Sequence, residues 1–266
     1  MQRMSPRCTQ GDSTSPQVWE RALRGRKADV LLSDPPYCLL TRRRKDGDLR
    51  DPKNKKIDRG PVRRFENVRE FRDFTKKWLE VAVKHLTPDA PLVLWMNLLG
   101  REPMTAACRE LGYTHVRGEF VWGKRTREGN SGDEILRVVE TALVFTRSAP
   151  SPSTPDSPAL PWAAVAGYDD DGEAAQWGSH PNHKPFGVLE PLVRTWSKAG
   201  QLVVDPFAGS GSIPAAALRL GRDIACIELE TEWADRVTQR LTQSTQSTQS
   251  TQPPPSPRGG EGRGEG

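Results

Sequence analysis

Leu202-Val203-Val204-Asp205-Pro206-Phe207-Ala208-Gly209-Ser210-Gly211-Ser212 reads as a strand, a glycine-bearing turn and the opening of a helix. The apolar β-formers end at Asp205, and Pro206 supplies no N–H to extend a ladder. Gly209 and Gly211 let the backbone approach a ligand closely. Ser212 is placed as the N-cap, Pro214 falls in the first turn and Gly221 lies just past the helix end, the usual asymmetry of helix termini. A second strand, Ile224-Ala225-Cys226-Ile227, then ends in Glu228. An acid there can accept from both hydroxyls of a ribose. The sequence of elements is a βαβ unit, which makes the fold class α/β. It suits a nucleoside cofactor; an ordinary βαβ crossover with a tight turn has the same outline.

Far upstream, Val30-Leu31-Leu32-Ser33-Asp34-Pro35-Pro36-Tyr37 has a related shape. A buried strand ends at Ser33 because two prolines follow. Their rigidity holds the Asp34 carboxylate, the Pro35 carbonyl and the Tyr37 ring at the carboxyl end of the strand, where open α/β sheets bind ligands. A carboxylate and a carbonyl can both accept from one exocyclic amine while the ring stacks on a flat base. That combination suits a nucleobase amine, although a Pro-Pro turn after a strand also serves simply as a loop.

A third piece, His180-Pro181-Asn182-His183-Lys184-Pro185, lies between the two. In this order the three segments resemble the β group of DNA amino-methyltransferases that use S-adenosylmethionine, whose motifs are circularly permuted. The resemblance covers most of the chain from Cys8 to Val237. It implies a Rossmann-like methyltransferase fold, with a mostly parallel twisted sheet, an antiparallel edge hairpin and helices on both faces. It assigns the reaction to Asp34, Pro35, Pro36 and Tyr37. It assigns the cofactor to Asp12, Asp34, Lys184, Asp205, Phe207, Ala208, Gly209, Ser210, Gly211 and Glu228. Among these, Asp12 and Phe207 would meet the adenine of S-adenosylmethionine, Glu228 its ribose and Lys184 its methionine carboxylate. The resemblance also makes Tyr37 and Trp122 the walls of a pocket for a flipped base. A buried strand tryptophan is the plainer reading of Trp122, and a turn that caps the next helix is the plainer reading of Asp12.

Asp at the first motif position is common in the family's adenine enzymes and Ser in its cytosine enzymes, so the resemblance favours adenine N6. The alternatives are N4 of cytosine, an RNA amine, and a non-catalytic DNA-binding partner of the same fold. Two departures stand out: His183 replaces the usual glutamine, and Pro191 interrupts the following helix. Larger relatives carry a recognition module in the interval corresponding to 147–179, which is Pro/Ser-rich here and too short for an independent domain; it reads as a linker with a short surface excursion that could serve recognition.

Composition fits this frame. The chain has 266 residues, 39 Lys and Arg against 34 Asp and Glu, and a net charge of +5, a balance that favours a polyanionic partner such as double-stranded DNA. Cations concentrate in 41–66, read as a mobile loop that clamps phosphates through Arg42, Arg43, Arg44, Lys45, Lys55, Lys56 and Arg63; a solvated surface loop is the alternative. Lys124 and Arg125 add to them from the turn between strands Glu119–Trp122 and Val138–Phe145. Four scattered cysteines lack metal-ligand spacing, and Cys38, beside the Asp34 segment, is read as lining only. No apolar run is long enough to span a membrane, and the amino end lacks the apolar core of a signal peptide. The expected setting is therefore the cytoplasm of a prokaryotic cell, or a phage gene product, acting at the nucleoid. A second copy of the chain and a restriction endonuclease acting on the same site are the protein partners the resemblance allows.

Local signals complete the outline. A strand precedes Gly11-Asp12, a helix spans Pro16 to Leu23, and Asn67 with Glu70 forms a capping box. Val68, Phe71, Phe74, Trp78 and Val81 recur at helical spacing as core, with Phe71 a minor candidate for the cofactor pocket. Leu92 to Met96 is a buried strand with Asn97 at its end, and Glu140, inside an apolar strand, needs a partner such as Arg137 or Lys124 if buried. A single domain is expected over 1–242, with a disordered Gln-Ser-Thr-rich tail over 243–266.

Overall fold

A computed structural model describes residues 6–41, 63–126, 135–148, 162–164, 172, 176 and 183–250. The chain begins with β1 (Cys8–Gln10), α1 (Pro16–Leu23) and β2 (Val30–Ser33). It continues with α2 (Val68–Ala82), β3 (Leu92–Met96) and α3 (Arg101–Glu110). A long hairpin of β4 (His115–Thr126) and β5 (Ile135–Thr146) leads to a short β6 (Trp162–Ala164). Then come α4 (Phe186–Trp196), β7 (Leu202–Asp205), α5 (Ser212–Arg219), β8 (Asp223–Glu228) and α6 (Thr231–Ser250).

The strands form one sheet in the order β1-β8-β7-β2-β3-β5-β4-β6. From β1 to β3 all neighbours are parallel, whereas β5 runs antiparallel to both β3 and β4. The expected antiparallel hairpin is present, but it is not the edge. Trp162–Ala164 pairs in parallel with Phe120–Trp122, so the interval read as a linker supplies a strand that covers the open side of β4.

Alternation along the strands divides the core in two. Leu31, Leu92, Leu94, Val204 and Ile227 face α1, α2 and α3, while Val30, Leu32, Val93, Trp95 and Val203 face α4, α5 and α6. Strands buried on both faces read as continuous apolar runs, which is why Val30–Ser33 and Leu92–Met96 are buried at every position. On α2 the buried stripe is Phe71, Thr75, Trp78, Leu79 and Ala82. Asn67 caps the helix by accepting from the Glu70 amide at 2.9 Å, and the Glu70 carboxylate accepts from the Glu66 amide at 2.6 Å, one residue earlier than in the expected box. In α4, Pro191 is accommodated inside the helix.

The tail departs most from expectation. Helix α6 continues to Ser250 through the Gln-Ser-Thr repeat. Val237 and Leu241 are fully buried against the sheet, and the Arg240 guanidinium donates to the Ser210 carbonyl at 3.0 Å. Thr238, Thr242 and Ser244 return their hydroxyls to carbonyls four residues back, which satisfies them within the helix. Residues 251–266 lie outside the described residues.

Two crossovers leave the centre of the sheet in opposite directions. From β7 the chain passes through α5 to β8, and from β2 through α2 to β3, while β2 and β7 are themselves neighbours. This is a topological switch point, and it opens a crevice at the carboxyl ends of those two strands.

Candidate active site

The two Asp-Pro segments meet at that crevice. Ser33, the last residue of β2, donates its hydroxyl to Asp205 Oδ1 at 2.7 Å, joining stretches 172 residues apart. Asp34 follows immediately. Its Oδ2 accepts from the Lys184 ammonium at 2.7 Å, and the same ammonium donates to Glu140 Oε2 at 2.8 Å. The Tyr37 hydroxyl donates to Glu140 Oε2 at 2.8 Å and lies 3.4 Å from Lys184 Nζ. Glu140 reaches this place because β5 runs antiparallel: Met96, the last residue of β3, pairs with Thr141, so Glu140 sits just beyond the end of β3. Lys184 arrives from the segment before α4, with its amide 3.5 Å from the Ser212 hydroxyl at the head of α5.

This cluster is nearly dry. Lys184 is 1% exposed, and its side-chain partners Asp34 and Glu140 are 8% and 6% exposed. The ammonium also lies 4.6 Å from the ring centre of Trp95, 5.8 Å from Tyr37 and 6.0 Å from Trp122, within cation–π range. Burial works against the Lys184 charge, but Asp34 and Glu140 outweigh it and raise its pKa above the ordinary lysine value. Burial, and then the two carboxylates, hold the Tyr37 hydroxyl well above its usual pKa, so it stays a donor. Counted as ions, the two carboxylates and the one ammonium sum to a formal charge of −1.

The neighbouring turn after β7 is built from backbone. Gly209 and Gly211 have φ of 50° and 74°, a region that glycine enters without strain. A Cβ on Gly211 would also approach both Val237 methyls at 3.1 Å. Gly211 takes the cap position of α5 and Ser212 is its first helical residue, so the helix begins one residue earlier than expected. The Gly209 amide donates to Glu228 Oε2 at 2.7 Å, which draws the acid at the end of β8 against the turn. Asp205 accepts from Ser33 and from the Phe207 amide at 3.1 Å, yet its Oδ2 is buried with no partner among the described residues. Burial above all pushes this carboxyl up to about 7, with the Ser33 and Phe207 bonds pulling the other way.

A groove is lined by Asp12, Thr14, Arg63, Glu70, Asp73, Phe74 and Lys77, and Phe74 connects it to Phe207. Asp12 accepts from the Thr14 amide at 2.8 Å in a local turn, and Ser15 rather than Asp12 stands at the N-cap of α1. Phe207 packs edge-on against Trp78 at 5.1 Å and Phe74 at 6.2 Å. Phe71, the residue read as a minor pocket candidate, is 1% exposed and packs against Phe65 in the core; Phe74, one turn along, is the one at the groove.

Other sequence candidates fall as follows. The Lys184 ammonium, expected at a cofactor carboxylate, lies between two of the protein's own acids. Trp122 is 6% exposed and packs edge-on against Trp95 at 6.4 Å, beneath the cluster. Cys38 is buried, which raises its thiol pKa, and its carbonyl accepts from the Asn97 side chain at 3.0 Å. The Arg63 guanidinium lies 3.8 Å over the Phe74 ring. Arg42, Arg43, Arg44, Lys45, Lys55, Lys56 and His180 to Asn182 lie outside the described residues, as do the side chains of Lys124 and Arg125. Sequence reading missed Ser33 as a link to Asp205 and Glu140 as the anchor of Lys184. Each carried a signal, a polar residue within an otherwise apolar strand.

A model of the N6/N4 methylase family, described as a DNA methylase, matches residues 28–239. The type II methyltransferase M2.DpnII of Streptococcus pneumoniae is 24% identical over 234 residues, covering 80% of this chain and 82% of its own. The putative methylase YubD of Escherichia coli strain K12 is 28% identical over 221 residues, covering 82% and 83%. Among solved structures, the M1.HpyAVI–SAM complex superposes with a TM-score of 0.61 at 17% identity, over 88% of this chain and 98% of that one. The cytosine-N4-specific PvuII DNA methyltransferase superposes with a TM-score of 0.61 at 17% identity, over 89% of each chain. These structures share the fold.

Proposed function

The chain belongs to the N6/N4 DNA methylase family, and on that premise we propose that it methylates the N6 amine of an adenine flipped out of double-stranded DNA, with S-adenosylmethionine as donor. The observation that carries this reading is the Asp34 cluster seated beside the glycine turn, joined to it by the 2.7 Å bond from Ser33 to Asp205.

The residues around the turn fit the donor. Asp205 Oδ2 is a buried acceptor with no partner among the described residues, suited to a cationic amine. Glu228 ends the strand beside the turn, suited to a ribose diol, and the groove with Asp12 and Phe74 suits a flat base near Phe207. Ala208, Ser210 and the two glycines form the floor. When bound, S-adenosylmethionine supplies an electrophilic methyl group.

The rest follows from the chain's own side chains. Tyr37 stacks on the flipped base, whose extrusion costs a few kcal/mol. The Asp34 carboxylate and the Pro35 carbonyl accept from the amine, while Pro36 keeps both rigid. Held this way, the amine presents its lone pair, and the acid faces the positive charge that grows on nitrogen during transfer. The basic segment from Arg42 to Arg63, with Lys124 and Arg125, supplies phosphate contacts. Asp34 at the first motif position supports adenine over cytosine.

Incubating the purified chain with methyl-labelled S-adenosylmethionine and either duplex DNA or RNA, then digesting to nucleosides, tests this. The expected product is N6-methyldeoxyadenosine from duplex DNA alone. N4-methyldeoxycytidine would move the target base, label in RNA alone would replace the substrate, and no label in either would leave a binding partner without catalysis.

A further inference from the structure

We propose that Glu140 is a positioning residue for methyl transfer, holding Lys184 and Tyr37 so that the pocket presents one net negative charge to the amine. This rests on the function proposed above and adds a residue to it from a different strand.

Asp34 shares its Oδ2 with the Lys184 ammonium at 2.7 Å. Paired with that cation alone, Asp34 would form a neutral couple, and a nitrogen becoming positive beside it would gain little. It would also face an ammonium a few ångströms away in a poorly screened site. Glu140 removes this difficulty. Placed 2.8 Å from the same ammonium, it supplies a second carboxylate, so Lys184 is balanced from the far side and Asp34 keeps its charge for the amine. The same Oε2 takes the Tyr37 hydroxyl at 2.8 Å, fixing the ring that stacks on the base.

The location argues that this arrangement serves more than stability. Residues 142–145 of β5 are apolar and buried, and Trp122 stands opposite Glu140 in the hairpin. An apolar side chain at 140 would suit these neighbours, because buried ion pairs recover little more than their desolvation cost. An acid here is explained by the ammonium it holds, and the ammonium by the acid that faces the substrate. Perturbed buried charges of this kind gather where chemistry is done.

Glu140→Gln keeps the shape and removes the charge; Tyr37→Phe removes the hydroxyl and keeps the charge. Single-turnover methyl transfer to duplex DNA, calorimetric affinity for S-adenosylmethionine and a ¹³C-lysine NMR titration of Lys184 are measured on both and on the wild type. The expected result for Glu140→Gln is a rate lower by roughly a hundredfold, cofactor affinity within about threefold, and a Lys184 titration moved to lower pH. Tyr37→Phe is expected to lose less rate and to leave the Lys184 titration closer to wild type. A Glu140→Gln rate within about threefold of wild type would overturn the proposal. So would a loss of cofactor affinity in proportion to rate, which would mark a folding or cofactor-site role. If the wild type labels no nucleic acid, the family-based reading fails by itself; a Lys184 titration unmoved by Glu140→Gln still overturns the charge balance argued here.

Discussion

Asp34 and Asp205 occupy comparable places: Asp34 follows β2 directly, Asp205 is the last residue of β7, each precedes a proline, and the two strands are parallel neighbours. Their surroundings differ sharply. Asp34 has a buried ammonium at 2.7 Å. Asp205 has a hydroxyl and an amide, and burial carries its carboxyl up to about 7. Dipoles alone do not offset the desolvation of a carboxylate, whereas an adjacent cation does. The acid proposed to meet the nucleobase amine thus has a permanent cationic partner. Asp205 keeps a buried Oδ2 with no partner among the described residues, which on the function proposed above is where a cationic ligand group would bind.

The sharpest way to break this comparison is to remove each acid in turn. Asp34→Ala is expected to lower methyl transfer by about a thousandfold while S-adenosylmethionine affinity stays within about threefold. Asp205→Ala is expected to lose cofactor affinity first. Isothermal titration beside labelled transfer assays decides; equal losses of affinity in both variants would erase the distinction. Next in size is Lys184→Met, which fills the volume but leaves Asp34 and Glu140 uncompensated in a site where Lys184 is 1% exposed. A loss of about 3 kcal/mol or more in urea denaturation is expected, and an unchanged midpoint would mean that the two acids do not depend on this cation.

How much of this was readable beforehand depended on the distance over which each signal acts. The strands carrying Asp34 and Asp205 were legible because an apolar run ending in Asp-Pro is a local statement. That they lie side by side came from the order of three motifs, not from any local pattern. Glu140 was visible as an acid in an apolar strand, but the partners considered were nearby cations. The actual one is 44 residues away in sequence, reached because an antiparallel strand carries Glu140 to the end of β3. On α2, helical spacing identified the apolar face yet could not say that Phe71 points to the core while Phe74 lines the groove. The Gln-Ser-Thr repeat lacks the apolar content of a core helix. The part of α6 ahead of the repeat is fixed by Val237 and Leu241, and its Thr238 hydroxyl accepts from the Cys8 amide of β1 at 3.0 Å.

Protonation sharpens the comparison further. The folded Asp205 carboxyl titrates at about 7 against an ordinary 3.8, so between those values the native state keeps a proton that the unfolded chain releases. Its contribution to stability is therefore present at low pH and lost as pH rises through that window. Asp205→Asn cannot ionise. The wild type is expected to lose roughly 4 kcal/mol relative to this variant between pH 4 and pH 8, read from urea denaturation at each pH. Parallel stability curves for the two proteins would show that Asp205 is charged in the native state throughout.

The smallest effect concerns the bond that ties the two strand ends together. Ser33 is fully buried, and its hydroxyl is one of two donors reaching Asp205 Oδ1. Ser33→Ala deletes that donor and is expected to cost about 1 kcal/mol at neutral pH. Because the Ser33 bond lowers the Asp205 pKa, its loss should also move the carboxyl titration upward, which ¹³C NMR of the aspartate carboxyls can follow. If the titration stays in place while stability falls, the hydroxyl is packing the strand ends without tuning the acid. The contrast between Asp34 and Asp205 would then rest on burial and on the Lys184 ammonium beside Asp34, with no part played by the hydroxyl.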